Sequence, residues 1–160
     1  MNKNRQSSRG FTLVELIAGV ATILVLAGFL FPASTYLHKV LAKAEVETAA
    51  EILRLDLTRL QHRSMLAGPA VQEFMLVDAD RGGYKFARNE SEFWYQLRFN
   101  QTQAGKVRFA DSRSARVQFG FEGGPGNMVK LYLQHDDLPD YILTVQVQPV
   151  TGQILIYQEE

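Results

Sequence analysis

The sequence predicts an α+β protein in which one long N-terminal helix precedes an antiparallel β domain. Two patterns indicate this fold class. Apolar residues recur at three- and four-residue steps as far as about Ala67, which is typical of a helix. Beyond Pro69 they alternate with polar residues, which is typical of half-buried strands. Gly68 and Pro69 together are a helix stop signal, so the change from helix to strand is expected there.

The first half of this helix is predicted to cross a membrane. A basic, polar opening, MNKNRQSSRG, is followed by an apolar block over residues 11–31 that only Thr12, Glu15 and Thr22 interrupt. About 20 helical residues span the hydrocarbon core of a bilayer. Because cations precede the block, we expect a cytoplasmic N terminus and a single pass through the inner (cytoplasmic) membrane, with the rest of the chain on the far side.

Residues 33–67 are predicted to continue the helix as an amphipathic spine. Apolar residues fall at helical steps on one face of it: Val46, Ala49, Ala50, Leu53, Leu57 and Leu60. Charged residues take other positions, so this apolar face is expected to pack on a sheet.

Residues 68–160 are predicted to form the β domain. The clearest alternating runs lie at residues 117–121, 129–133, 141–147 and 153–158, and weaker ones at residues 74–77, 83–87, 94–99 and 107–110. The sequence GGPGN at residues 123–127 indicates a hairpin loop between two of the clear runs. The expected segments of the chain are therefore residues 1–10, 11–32, 33–67 and 68–160.

Composition and charge exclude several kinds of site. The chain has no cysteine, so it has neither a disulfide framework nor a thiolate metal site. Three of the 17 basic residues and none of the 17 acidic ones precede Phe11, so loss of residues 1–10 leaves a net charge of 14 − 17, or −3. A slightly acidic protein gives no reason to expect general binding to nucleic acid.

An ordinary secretory signal is the alternative interpretation of the N terminus, with cleavage near residues 31–34. The apolar block is longer than the usual signal core of about 7–15 residues. It also contains Glu15 near its start, where a disposable segment has no evident use for an acid. Both features favour a segment that stays in the mature protein.

The sequence RGFTLVEL at residues 9–16 resembles the type IV prepilin signature of type IV pilins, type II secretion pseudopilins and competence pseudopilins. The resemblance implies that residues 1–10 are a leader peptide, which a prepilin peptidase removes by cleavage between Gly10 and Phe11. It also implies N-methylation of Phe11, giving an N-methylphenylalanine at the new N terminus. Gly10 suits the cleavage because its backbone can lie close against a protease.

The same resemblance gives Glu15 a role in filament assembly, in which its carboxylate meets the N-terminal amine of a neighbouring subunit. Phe11 and Glu15 are four residues apart, so both lie on one helix face about one turn, or ~6 Å, apart. Glu15 also favours its own helix N terminus, and the two roles are compatible. We expect Glu15→Ala to be processed but to assemble poorly. Pro32 is expected to kink or locally melt the helix.

The second half of the chain resembles minor pseudopilins, namely the H-type of type II secretion and the D-type of competence. The motifs that carry this resemblance are LDL with Gln61 near the helix end, FEGGPG at residues 121–126 and TGQILI at residues 151–156. Major type IV pilins close their C-terminal region with a cysteine pair, and this chain has no cysteine. The resemblance therefore favours a minor pseudopilin or minor pilin over a major pilin.

No catalytic or cofactor motif is found in the sequence. The three histidines, His38, His62 and His135, are not at metal-ligand spacing and are interpreted as surface or helix-face residues. Two acidic segments, residues 78–83 and 136–140, resemble calcium loops only in part, and turn chemistry is the better interpretation of both. The aromatic run at residues 93–95 is expected to be buried. We expect no enzyme, cofactor or metal.

The sequence therefore predicts a structural subunit of a type IV pilus-like filament, acting in type II secretion, DNA uptake or pilus assembly. Its expected partners are the prepilin peptidase, other pilins or pseudopilins, and the membrane through residues 11–31, with the filament then periplasmic or on the cell surface. The alternative is a binding module at the filament tip that contacts DNA or a secreted substrate. Arg108, Arg113 and Arg116 lie close in sequence and are a weak indication of such a DNA site.

Overall fold

A computed structural model describes residues 12–68, 72–88, 92–102, 104–111 and 115–158. For residues 29–33 and 81 it describes the backbone alone. Helix α1 runs Leu13–Ala67. Eight strands follow it in the described residues: β1 Phe74–Asp78, β2 Gly83–Ala87, β3 Phe93–Arg98, β4 Val107–Phe109, β5 Arg116–Gln118, β6 Val129–His135, β7 Leu138–Val147 and β8 Ile154–Gln158. The chain divides into two compact units, Met1–His38 and Lys39–Glu160.

The strands form two antiparallel sheets of four strands each. The order in sheet A is β3-β2-β1-β5, and the order in sheet B is β4-β6-β7-β8. Adjacent strands pair in antiparallel register, for example Met75 opposite Phe86 in sheet A and Leu131 opposite Val145 in sheet B. The second unit therefore has the expected helix followed by antiparallel strands. Its strands form two sheets.

The transmembrane half of the expected fold is wrong. Within the part of the chain that the structure describes, no helix combines the length and the apolarity that a membrane crossing requires. Glu15 lies in the first turn of α1, and a carboxylate is costly in the hydrocarbon core of a bilayer. The expected single-pass location in the inner membrane, with membrane contact through residues 11–31, depended on this helix. It is therefore wrong as well.

The loop over residues 123–127 does not join the two strands of a hairpin, as the sequence led us to expect. Strand β5 before it pairs with β1 in sheet A, and strand β6 after it pairs with β4 and β7 in sheet B. Alternation identifies strands but not their partners, and here the glycine-rich segment passes from one sheet to the other.

The core of the second unit takes side chains from α1 and from both sheets. The apolar face expected of residues 33–67 is confirmed, since its members are completely buried: Val46, Ala49, Ala50, Leu53, Leu57 and Leu60. They pack in one cluster with strand residues such as Met75, Phe86, Leu133 and Val145. Burying these side chains is the main stabilising term of the unit, at about 1.5–3 kcal/mol for each large one.

A buried polar contact fixes the direction in which sheet A meets α1. The carboxylate of Asp56, only 4% exposed, accepts a hydrogen bond of 2.8 Å from the Tyr84 hydroxyl and one of 3.0 Å from the Arg59 guanidinium. Burial, with the Asp56 carboxylate as the second cause, raises the pKa values of Tyr84 and of Tyr95 on β3, that of Tyr95 to about 12. Both tyrosines therefore stay protonated and able to donate near neutral pH.

A second buried acid, Glu73, anchors the start of β1 to the end of α1. Its side chain is 2% exposed, and Arg63 donates to both of its oxygens at 2.7 and 2.8 Å. Arg88 adds a third contact at 3.4 Å. The hydrogen bonds from Arg63 outweigh burial and hold the pKa of Glu73 below its ordinary value of 4.5.

This lowered pKa predicts acid sensitivity that depends on Glu73. A carboxyl with a lower pKa in the folded state stabilises the fold above its unfolded pKa, and this stabilisation is lost as the pH falls through the folded value, below 4.5. We expect Glu73→Gln to cost about 2 kcal/mol at pH 7 and to lose stability less steeply below pH 4.5 than the wild type. Urea unfolding followed by Trp94 fluorescence measures both. The exposed acid Glu122 gives the control Glu122→Gln, and equal acid sensitivity in Glu73→Gln and wild type would contradict this account.

Candidate assembly site

Helix α1 begins with a capping box. The Thr12 hydroxyl accepts a hydrogen bond of 3.3 Å from the backbone N–H of Glu15. The Glu15 carboxylate in turn accepts one of 2.9 Å from the backbone N–H of Thr12, and one of 2.9 Å from its hydroxyl. These bonds satisfy donors that every helix N terminus leaves without intrahelical partners. Sequence analysis missed the role of Thr12, although a threonine three residues before a glutamate is the signal for this motif.

The Glu15 carboxylate is held in its charged form. The backbone N–H of Thr12 is the larger cause and its hydroxyl the second, and together they lower the pKa of Glu15 below its ordinary value. All the bonds that this carboxylate makes to described residues go to Oε2. Glu15 Oε1 therefore has no donor among the described residues and can accept one from outside.

An apolar segment, residues 13–26, follows directly from this cap and is hereafter called the assembly segment. Nine large apolar side chains of the segment are more than half exposed: Leu13, Val14, Leu16, Ile17, Val20, Ile23, Leu24, Val25 and Leu26. They lie on all sides of the helix, and Glu15 is the only charged residue among them. Thr22 donates its hydroxyl to the Ala18 carbonyl at 2.8 Å, which satisfies that polar side chain within the helix.

The other residues expected in this region are only partly described. Gly10 and Phe11, the expected cleavage and methylation site, lie outside the described residues. The backbone of α1 is helical through Pro32, so local melting is not seen there. The kink at Pro32 stays a prediction.

The three motifs that resemble minor pseudopilins meet in the second unit at Gln61. Its amide donates 2.7 Å to the Gly123 carbonyl and 3.3 Å to the Gly152 carbonyl. Gly152 has φ +65, and a Cβ there would collide with the Gly123 carbonyl and with Gln61. The helix end, the 121–126 loop and the 151–156 turn thus form one junction that tolerates only glycine at its centre. Its contacts indicate a structural role.

The histidines and acids show no metal centre. Among the described residues, no three histidine, aspartate or glutamate side chains form a group that could hold a metal ion. His135 is buried, contrary to expectation, because its Nε2 lies 3.1 Å from Glu45 and its Nδ1 accepts from the Asp137 N–H at 3.0 Å. Asp80 belongs to a 3-10 turn between β1 and β2.

A cavity of about 450 Å³ lies between the β1–β2 turn and β4. Two of its charged lining residues, Lys106 and Arg108, are already paired with Asp137 at 2.7 Å and Asp136 at 2.8 Å. Arg108, one of the three arginines of the expected DNA site, is therefore already ion-paired. Arg116 lies in the other sheet, and Arg113 lies outside the described residues.

Comparisons of the chain with protein-family models, with curated proteins and with solved structures give no match. The resemblance to prepilins therefore depends on the sequence motifs alone, above all on residues 9–16.

Proposed function

We propose that this chain is a structural subunit of a type IV pilus-like filament, and that a prepilin peptidase cleaves it between Gly10 and Phe11. The observation that carries the proposal is the assembly segment, with nine large apolar side chains exposed around one helix. An apolar surface of this kind calls for a partner that covers it. In the proposed filament the partner is the same segment of other copies, and the chain serves as building material rather than as an enzyme.

The size of the segment is adequate for stable assembly. Full burial of a large aliphatic side chain contributes about 1.5–3 kcal/mol, so burial of half the segment contributes on the order of 10 kcal/mol. Association costs about 4–15 kcal/mol in lost translational and rotational freedom. A helix that is apolar on every side can contact several neighbours at once, so each added copy brings more than one such contact. Repeated head-to-tail contacts of this kind build helical filaments.

Glu15 gives this packing a register. After cleavage, the amine of Phe11 lies one helical turn from the acid, so a one-turn stagger of about 6 Å brings one copy's amine level with the next copy's carboxylate. N-methylation leaves the amine cationic. The capping box supports this proposal because it holds the carboxylate charged and leaves Oε1 open. An unpaired carboxylate buried among apolar helices costs several kcal/mol, which penalises other registers.

Three variants separate the capping role of Glu15 from the proposed pairing. Glu15→Gln keeps a side chain that can cap the helix but removes the charge, and we expect at least a tenfold loss of assembled chain. Thr12→Ala removes the cap partner and keeps the charge, so a helix cap worth about 1 kcal/mol is lost and assembly falls much less. Glu15→Ala should resemble Glu15→Gln.

The measurement is the fraction of chain found in filaments in cells that produce the prepilin peptidase, with intact mass confirming loss of residues 1–10 in each variant. Wild-type assembly by Glu15→Gln would remove the amine–carboxylate pair from the account. Retention of residues 1–10 in the wild-type filament would contradict the proposed processing.

A further inference from the structure

The second unit has an open sheet face that filament packing through the assembly segment does not use. In sheet A, side chains such as Tyr84, Phe86 and Met75 are buried towards α1. Their neighbours along each strand point the other way, and we call this side the outer face. One row across the sheet joins Gln96, Lys85, Leu76 and Arg116 through the strand register.

Three cations lie on this outer face, and none is neutralised by a described acid. They are Lys85 on β2, Arg98 on β3 and Arg116 on β5. Among the described residues no ion pair involves any of them, whereas the cations of seven other positions are paired with carboxylates: Lys43, Arg54, Arg59, Arg63, Arg88, Lys106 and Arg108. Three cations without an ion pair to a described acid therefore share one surface.

Acidic residues are sparse on the same surface. Asp78, at the end of β1, is the one acid within the four strands of sheet A. Glu73, just before β1, is buried and already satisfied by Arg63 and Arg88. The outer face thus has an excess of positive charge although the whole chain has a net charge of zero.

Aromatic rings accompany the cations. The Lys85 ammonium lies 4.1 Å from the centre of the Phe93 ring, and the Arg116 guanidinium lies 3.7 Å from that of Phe74. Phe74 is buried, but Phe93 is 44% exposed, which corrects its expected burial. Lys85 is partly exposed, and leaving such a ring costs a lysine at an exposed site only about 0.5–1 kcal/mol. Phe93 can then stack with a flat ligand while Lys85 contacts a nearby anion.

The spacing of the cations suits a chain of phosphates. Lys85 and Arg116 are two strands apart in one row, or about 10 Å between their backbones. Arg98 stands opposite Gly83, one strand away from Lys85 and two residues along, at about 8 Å. Gln96 lies opposite Lys85 on β3, the edge strand of the sheet, and is exposed. Its side-chain amide can both donate hydrogen bonds to base edges and accept them.

We propose that the outer face of sheet A binds single-stranded nucleic acid. Lys85, Arg98 and Arg116 contact phosphates, and Phe93 stacks with a base. Stacking on an aromatic side chain contributes about 1–3 kcal/mol per base, and it requires bases that are not hidden in a duplex. An acidic peptide offers the charge without the bases, so it fits this face less well. The sequence could not show this site, because its three cations come from three separate strands.

Fluorescence anisotropy with the full chain and a labelled 20-nucleotide thymidine strand tests the proposal. With two or three phosphates neutralised, the slope of log K against log salt is expected to be about −0.7 per phosphate, or roughly −1.4 to −2.1. The double variant Lys85→Gln/Arg116→Gln should weaken binding at least tenfold and make the slope shallower. Phe93→Ser should weaken it about fivefold or more with the slope unchanged.

The matched control is Lys106→Gln/Arg108→Gln, which removes the same charge from ion-paired positions just before and within β4 and should change binding less than twofold. Urea unfolding shows that each variant is folded. Equal binding by wild type and the Lys85/Arg116 variant would overturn the proposal, as would an equal loss in the control. Poly-glutamate or duplex DNA that binds as tightly as the single strand would also overturn it, in favour of an acidic protein partner or of simple charge attraction. Failure of any of these tests leaves filament assembly unaffected.

Discussion

Val20→Asp is expected to abolish filament assembly while leaving the second unit folded. Val20 lies in the middle of the assembly segment and is 52% exposed in the single chain, so the change costs the isolated helix little. In a filament the same side chain would be buried among apolar helices, where an unpaired carboxylate costs several kcal/mol. Each 1.4 kcal/mol is a factor of ten in the association constant, so assembly should fall at least a hundredfold. Sedimentation of filaments from cells that carry the assembly machinery measures the loss.

Two controls accompany this variant. Val20→Leu keeps the position apolar and should assemble like wild type. His62→Asp places the same charge at an exposed position of α1 in the second unit and should reduce assembly by no more than about threefold. Because residue 20 belongs to the first unit, urea unfolding of the second unit should not change in Val20→Asp. Filaments at the wild-type level in Val20→Asp would mean that the segment is not covered by other copies.

Gly152→Ala is expected to destabilise the second unit by about 3 kcal/mol or more. The backbone at Gly152 has φ +65, a conformation that costs other residues about 1–2 kcal/mol. The added Cβ would also collide with the Gly123 carbonyl and the Gln61 amide, and overpacking of this kind costs about 1–3 kcal/mol. Such a loss is a large part of the 5–15 kcal/mol that stabilises a typical domain. Urea unfolding followed by Trp94 fluorescence measures it.

Two other glycines separate the causes. Gly126 has φ +78 but open space around a Cβ, so Gly126→Ala should show the backbone cost alone, about 1 kcal/mol. Gly105 has neither a positive φ nor a close neighbour, so Gly105→Ala should be neutral within about 0.5 kcal/mol. If Gly152→Ala were no worse than Gly126→Ala, the junction at Gln61 would not be rigid.

Local sequence patterns predicted the elements of the fold well. The end of α1 at Ala67 follows from Gly68 and Pro69, because glycine accepts a positive φ and proline cannot continue the helix. Every predicted alternating run overlaps a strand, because side chains of a strand point alternately to its two faces, although the run at residues 117–121 is strand only as far as Gln118. These properties are decided within a few residues of chain.

Properties that depend on distant residues were not predicted. The loop at residues 123–127 connects two sheets, since β5 pairs with β1 rather than with β6. His135 is buried because Glu45, on α1, lies beside it. Phe93 and Trp94 remain more than a third exposed because β3 is the edge strand of its sheet. The expected membrane span relied on the length and apolarity of residues 11–31 and on the cations before them, and these local features do not distinguish a bilayer from other apolar surroundings.

The candidate site was predicted in part. The motif at residues 9–16 drew attention to Glu15, and the structure adds its bond to Thr12 and its open oxygen. The cations of sheet A were not predicted as a group, because Lys85, Arg98 and Arg116 are brought together only by strand pairing.

Cysteine cross-linking tests the central claim most directly, because the natural chain has no cysteine and every thiol is therefore a chosen one. Leu16→Cys/Ile23→Cys places two thiols on the assembly segment, about two helical turns or ~10 Å apart. Oxidation of cells that produce this variant and the assembly machinery should give a ladder of covalent multimers, and His62→Cys/Gln96→Cys should not. A chain that stays monomeric with thiols in the assembly segment would contradict its role as a filament subunit.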